Sequence, residues 1–287
     1  MRVGGSAPGH VESYALAVFG EGRLTVERTI SQGIEIVYEE AGRGDPALIL
    51  IHPPFGNRSH FASVFRHMAR QYRVIALDLR GCGESGVPAE GFRIVDLAAD
   101  VRAVCRAARV DRAVLCGHSL GGTVALEVAA LEPRLAAGVA LLDPVVLFPE
   151  SVRRQALERL VPALAGPGWL EALQGYIAGR MFGPFDPPEV RARIAQEIAT
   201  LPAHMPAPLM RDGMSHDFSD RLATGRYPLL FVHAQVPADL ERLKQLRPDA
   251  IVASVAASGH FLTLIVPDQV NAMLDRFLAI LPMIATT

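Results

Sequence analysis

The chain has 287 residues, half of them hydrophobic and 20% charged, with a formal net charge of -2. That is enough apolar material for one full domain with an insert, with no need for disulfides or metals to hold the core, and the balanced charge gives no general pull toward nucleic acid or an anionic membrane. Three cysteines, Cys82, Cys105 and Cys116, cannot all pair and lack metal-ligand spacing, so they read as reduced and mostly buried. Reduced thiols suit a cytoplasmic protein. The N-terminus has one early arginine and no apolar run of signal-sequence length, and no segment reaches transmembrane length.

In chain order, residues 1–22 read as a weakly ordered extension. Residues 23–31 and 34–39 have the character of two strands joined at Gln32-Gly33, and 47–51 is a short buried strand. Helical periodicity follows over 61–71, then a strand over 74–79 and a helix over 94–108. A buried strand at 113–116, a small-residue helix at 122–131 and another buried strand at 137–142 complete the first half. From 144 to 225 the pattern changes to helix-like runs, at 152–165, 169–181 and 188–200, separated by proline-rich joints. Within it, 166–168 and 183–185 read as rigid turns rather than hinges. Alternation resumes with a strand at 229–233, a helix at 239–246, a strand at 250–255 and a helix at 267–281. Alternating strands and helices predict a mostly parallel sheet covered by helices on both faces, an α/β fold.

The most informative stretch is Gly117-His118-Ser119-Leu120-Gly121, because it lies between a buried strand and a small-residue helix. A serine hydroxyl is a weak nucleophile at neutral pH and must be presented in the open, beside a base and facing backbone donors. A sharp strand-to-helix turn does this, and it needs residues without a Cβ on either side of the serine. The helix behind Ser119 directs free N–H groups and a positive dipole end toward the reacting centre. Ser119 is therefore the expected nucleophile and the Leu120 N–H the expected first oxyanion donor.

With this elbow, His52 at a strand end, the run from Asp78 to Ser85 after the next strand, and Gly259-His260-Phe261 near the C-terminus, the chain from about residue 23 onward resembles the α/β-hydrolases. The resemblance implies a core of residues 23–143 and 226–287 with a helical cap of residues 144–225. It also implies that His260 is the general base, a role that an imidazole can fill near neutral pH.

Two departures from the usual pattern matter. The usual acid position after the seventh strand is Pro237 here, and the first acid in that loop is Asp239, whereas Asp143 ends the sixth strand in Leu142-Asp143-Pro144. In placing an acid there the chain resembles haloalkane dehalogenases and fungal zearalenone lactonases, so Asp143 is preferred as the triad acid and Asp239 is the alternative. The loop after the third strand reads His52-Pro53-Pro54-Phe55-Gly56-Asn57 where relatives often have His-Gly-x. Proline has no N–H to donate, so Phe55 is chosen as the second oxyanion donor, ahead of an Asn57 side chain.

Together these residues predict acyl transfer through an acyl-enzyme that water resolves, with no cofactor and no metal. For substrate contacts, Trp169, Met181, Phe182 and Met214 of the insert are expected beside Pro54 and Phe261; Tyr176, Met205, Met210 and Phe218 read mainly as insert core. Apolar groups without a basic cluster point to a neutral, apolar ester or lactone. Dehalogenation is disfavoured because the elbow carries serine, not aspartate. The alternatives are a carbon-carbon bond hydrolase of a diketone, a lyase or a ligand receptor on the same fold. Nucleic acid and membrane are not expected partners, and homo-oligomerisation is left open.

Overall fold

A computed structural model describes residues 24–284, with side chains through residue 282; the predicted extension over 1–22 lies outside the described residues. The sheet is built from β1 (Thr25–Ser31), β2 (Ile34–Ala41), β3 (Ala47–Ile51), β4 (Val74–Leu77), β5 (Ala113–His118), β6 (Ala136–Leu142), β7 (Leu229–His233) and β8 (Ile251–Ser254). Their order is β1-β2-β4-β3-β5-β6-β7-β8. The β1–β2 and β2–β4 pairs are antiparallel, and every pair from β4 to β8 is parallel. The β1–β2 hairpin turns at Gln32 and Gly33, both with positive φ, as a two-residue connection matched to strand twist requires.

Between the central strands run α1 (Ala62–Met68), which follows a single 3-10 turn, α2 (Ile94–Ala107) and α3 (Leu120–Leu131). The central strands are buried on both faces, as parallel strands covered by helices must be. Along β3, Ile49 and Ile51 face one apolar layer, while Leu48 and Leu50 face another that includes Phe65 and Phe277. The helix α3 is buried nearly all round from Leu120 to Ala129, which explains its run of small residues: it must lie close against the sheet.

After β6 the chain leaves the sheet for α4 (Glu150–Gln155), a π turn (Ala156–Leu160), α5 (Val161–Leu164), α6 (Trp169–Arg180), α7 (Pro188–Ala199), α8 (Pro206–Ser215) and α9 (Ser219–Thr224). It returns through β7, α10 (Leu240–Leu246), β8, α11 (Leu262–Ile265) and α12 (Pro267–Ile284). The sequence reading did not anticipate α8, α9 or α11. The first carries Pro208 and Gly213 beyond its opening proline, and the second has only six residues, so propensity alone forms neither. Buried Leu209, Met210, Met214 and Leu222 hold them in place. Among the described residues no helix is long and apolar enough to cross a membrane.

The chain passes from β3 to β4 on one side and then to β5 on the other, so the strand order reverses at β3. In an open parallel sheet the crevice beyond the strand ends at such a reversal is where ligands bind. Both Ser119, after β5, and the His52–Phe55 loop, after β3, lie there.

Candidate active site

Ser119 sits between β5 and α3 with φ 58° and ψ -127°, a conformation that a residue with a Cβ holds only when its surroundings force it. Those surroundings are tight. A Cβ on Gly117 would lie 2.1 Å from Gly121 O, and one on Gly121 would lie 2.4 Å from Ile51 O. The Ser119 N–H donates to Leu142 O at 2.9 Å, and its carbonyl accepts from Gly122 and Val145 N–H. Leu120 is the first residue of α3, a position whose N–H has no acceptor within its own helix.

His260 lies 117 positions beyond Asp143 in sequence, yet its Nδ1 is 2.7 Å from Asp143 Oδ2. Both side chains are buried. Asp143 has positive φ, and its carboxylate also accepts from the backbone N–H groups of Ala234, Gln235 and Val236. The short loop after β7, which lacks the usual acid, thus turns its N–H groups onto Asp143. Asp239 is elsewhere, capping α10 by accepting from Arg242 N–H.

Other histidines brace this centre. Burial lowers the His52 pKa to about 4, so its neutral ring accepts from Leu79 N–H on Nε2 and donates from Nδ1 to Pro53 O at 2.7 Å. His118 is held well below the usual histidine range by burial and by the neighbouring His260; its Nε2–H donates to His260 O at 2.7 Å. His60 packs against Gly56 and meets Glu197 of α7 at 2.5 Å. His204 and His216 bond to Pro88 O and Asp212 O instead and take no part in the cavity lining.

Phe55 has φ 67° and is buried. Cys82 lies against it: burial pushes the thiol up to about 12, with the Phe55 backbone N–H acting in the opposite direction. Cys105 is likewise pushed up to about 12 and Cys116 upward, both by burial. All three cysteines are free and buried.

Ser119, His260 and Leu120 open on a cavity of about 50 Å³ with an almost wholly apolar wall. Of the expected contacts, Pro54, Phe55, Met181, Met214 and Phe261 line it, and so do Tyr176 and Met210, which were expected mainly as insert core. Trp169 and Phe182 do not. Trp169 starts α6 and packs against the apolar core, while Phe182 lies beyond the end of α6, between the Arg191 guanidinium and the Phe261 ring. The sequence reading passed over Val145, Phe148, Leu173, Ile177 and Val236, which also form the wall. The spacing of Leu173 and Ile177 on one face of α6 was the available signal. Among the described residues no group of three or more His, Cys, Asp or Glu is arranged to hold a metal ion.

A parallel sheet reversing at β3, with a strained serine at the next strand end and a buried Asp–His pair beside it, is the framework of a hydrolase-type fold. Residues 46–166 match the family model for the alpha/beta hydrolase fold, and the sheet with its covering helices has that fold. It is 26% identical over 269 residues to a 2-(acetamidomethylene)succinate hydrolase from Mesorhizobium japonicum, covering 88% of this chain and 95% of that protein. In fold it is similar to Est816, an N-acyl homoserine lactone degrading enzyme, with TM-score 0.78 and 24% identity over 88% of this chain and 100% of the other. It is also similar to a thermophilic esterase from Thermogutta terrifontis, with TM-score 0.78 and 22% identity over 90% and 99%.

Proposed function

We propose that the chain is a serine hydrolase that cleaves a small, neutral, apolar carboxylic ester or lactone through an acyl-enzyme. The observation that carries this reading is the 2.7 Å contact between His260 Nδ1 and Asp143 Oδ2 at a cavity also lined by Ser119. In this reading Ser119 Oγ attacks the carbonyl carbon as His260 Nε2 takes its proton. Asp143 holds the Nδ1–H tautomer and stabilises the imidazolium. The Leu120 and Phe55 N–H groups receive the oxyanion. The leaving group then takes the proton from His260, and water, activated by the same imidazole, releases the acid.

The segment 144–225 is the proposed cap, since Met181 and Met214 from it face Ser119 across the cavity. The apolar wall supports an uncharged substrate, and a space of about 50 Å³ suits a short acyl group or a small ring. Likeness to a lactone-degrading enzyme and an esterase supports the same substrate class.

The test compares kcat/KM for a short p-nitrophenyl ester, a small lactone, a macrolactone and a vinylogous diketone, following the pre-steady-state p-nitrophenolate burst of the ester. The reading expects a burst with the ester and the highest kcat/KM with the short ester or small lactone. Preferential turnover of the diketone would assign carbon-carbon bond hydrolysis, and ligand binding without turnover would assign a receptor.

A further inference from the structure

His260 is held by its backbone as well as by its ring. Its N–H donates to Met181 O at 2.8 Å, and its carbonyl accepts from His118 at 2.7 Å. One anchor comes from the segment after α6, the other from the residue beside Ser119. Immediately before it, Gly259 N–H donates to Asp186 Oδ1 at 2.9 Å, while Gly183 N–H donates to Oδ2 of the same carboxylate at 2.8 Å.

Asp186 is 5% exposed, and its two oxygens are satisfied by backbone N–H groups rather than by a cation. A buried carboxylate held in this way is costly to desolvate, and burial of charge is weak evidence of a purely stabilising role. Its visible effect is to tie the 183–186 turn to the loop that carries His260. The contact has no slack: a Cβ on Gly259 would lie 2.3 Å from Asp186 Oδ2 and 2.5 Å from Gly183 N. The turn is itself braced. Arg191 donates to Gly183 O at 2.6 Å and lies 4.5 Å over the Phe182 ring, and that ring packs against Phe261 at 5.1 Å.

We propose that Asp186 is a positioning residue for His260: carried by the insert, it fixes the Gly259 backbone and so holds the imidazole in line between Asp143 and Ser119. The inference rests on the serine-hydrolase reading above. It makes the insert part of the device that aligns the base, in addition to its role as a wall of the cavity. Displacing the 181–186 segment as a whole withdraws the acceptors of both Gly259 and His260 together.

Asp186→Asn in the full chain tests this, because asparagine keeps the shape but turns an amide N–H toward one of two backbone donors. Active sites are counted by the p-nitrophenol burst with p-nitrophenyl acetate, and kcat is expressed per titrated site. The expected result is a kcat per site lower by about tenfold or more, with KM within about twofold of wild type. The low-field proton resonance of His260 Nδ1–H, which reports its bond to Asp143, should also shift or broaden. An unchanged kcat per site with an unchanged resonance overturns the proposal whatever the melting temperature, since a merely structural residue would reduce the number of sites and leave each one intact. If Asp186→Asn does not accumulate as folded protein, Gly259→Ala strains the same contact from the other side and is judged by the same two readouts. A wild type that forms no acyl-enzyme overturns the serine-hydrolase reading and this inference with it, and that failure is recognised from the wild type alone.

Discussion

Asp143→Asn changes one atom at the point where four donors converge. The carboxylate receives His260 Nδ1–H at 2.7 Å and the N–H groups of Ala234, Gln235 and Val236 at 2.8 to 3.1 Å, and it is fully buried. Asparagine offers one acceptor oxygen and an NH2 group, so it cannot satisfy this set. With its oxygen toward His260, the NH2 faces the loop N–H groups and leaves at least one donor unpaired, costing about 2 to 3 kcal/mol of stability. With its NH2 toward His260, it forces the tautomer that carries its proton on Nε2, which cannot accept from Ser119. A tautomer error of this kind costs about four orders of magnitude in kcat, roughly 5.5 kcal/mol of activation free energy. The assay is p-nitrophenyl acetate hydrolysis with Asp239→Asn measured alongside. Asp239→Asn keeps the cap of α10, because an asparagine oxygen can accept the same Arg242 N–H, so it should lose little stability and little activity. The reasoning is refuted if Asp143→Asn stays within about tenfold of wild type or if Asp239→Asn falls as far.

Gly121→Ala would place a Cβ 2.4 Å from Ile51 O and 2.5 Å from His52 O, so at least ~3 kcal/mol of stability should be lost; an unchanged Tm would contradict the packing described for the elbow. Burial alone would raise the pKa of Glu197, but its hydrogen bond and ion pair with His60, joined by Arg193, hold it down to about 2. Its contribution to stability is therefore complete above about pH 4.5 and is lost as pH falls toward 2, on the order of 1 kcal/mol once solvent screening of this partly exposed pair is counted. Denaturation midpoints from pH 2 to 7 should show a smaller acid-side loss for Glu197→Gln than for wild type, and equal slopes would contradict the assignment. Leu173→Ala enlarges the apolar wall of the cavity and should raise kcat/KM for butyrate and hexanoate esters relative to acetate. An unchanged chain-length preference would remove Leu173 from substrate contact.

The sheet was legible because its strands are short apolar runs closed by turn residues, and the elbow because Gly117 and Gly121 have to lack a Cβ on either side of Ser119. Which of Asp143 and Asp239 meets His260 needed three dimensions. A single sequence shows that the β7 loop lacks the usual acid, but the return of that loop's N–H groups onto Asp143 depends on the neighbouring position of β6 and β7. The insert was least legible. Trp169 and Phe182 have the chemistry of pocket residues, yet the ends of α6 carry them away from Ser119, while Leu173 and Ile177 reach the cavity from the middle of the same helix. Asp186 gave no signal in sequence, since its role depends on meeting Gly259 across 73 positions.

The most direct test of the account is labelling of the wild-type chain with a fluorophosphonate, followed by peptide mapping. The account predicts a single adduct on Ser119, absent in Ser119→Ala and formed far more slowly in His260→Ala. A wild type that stays unlabelled while catalysing ester hydrolysis, or an adduct on any other residue, would contradict it.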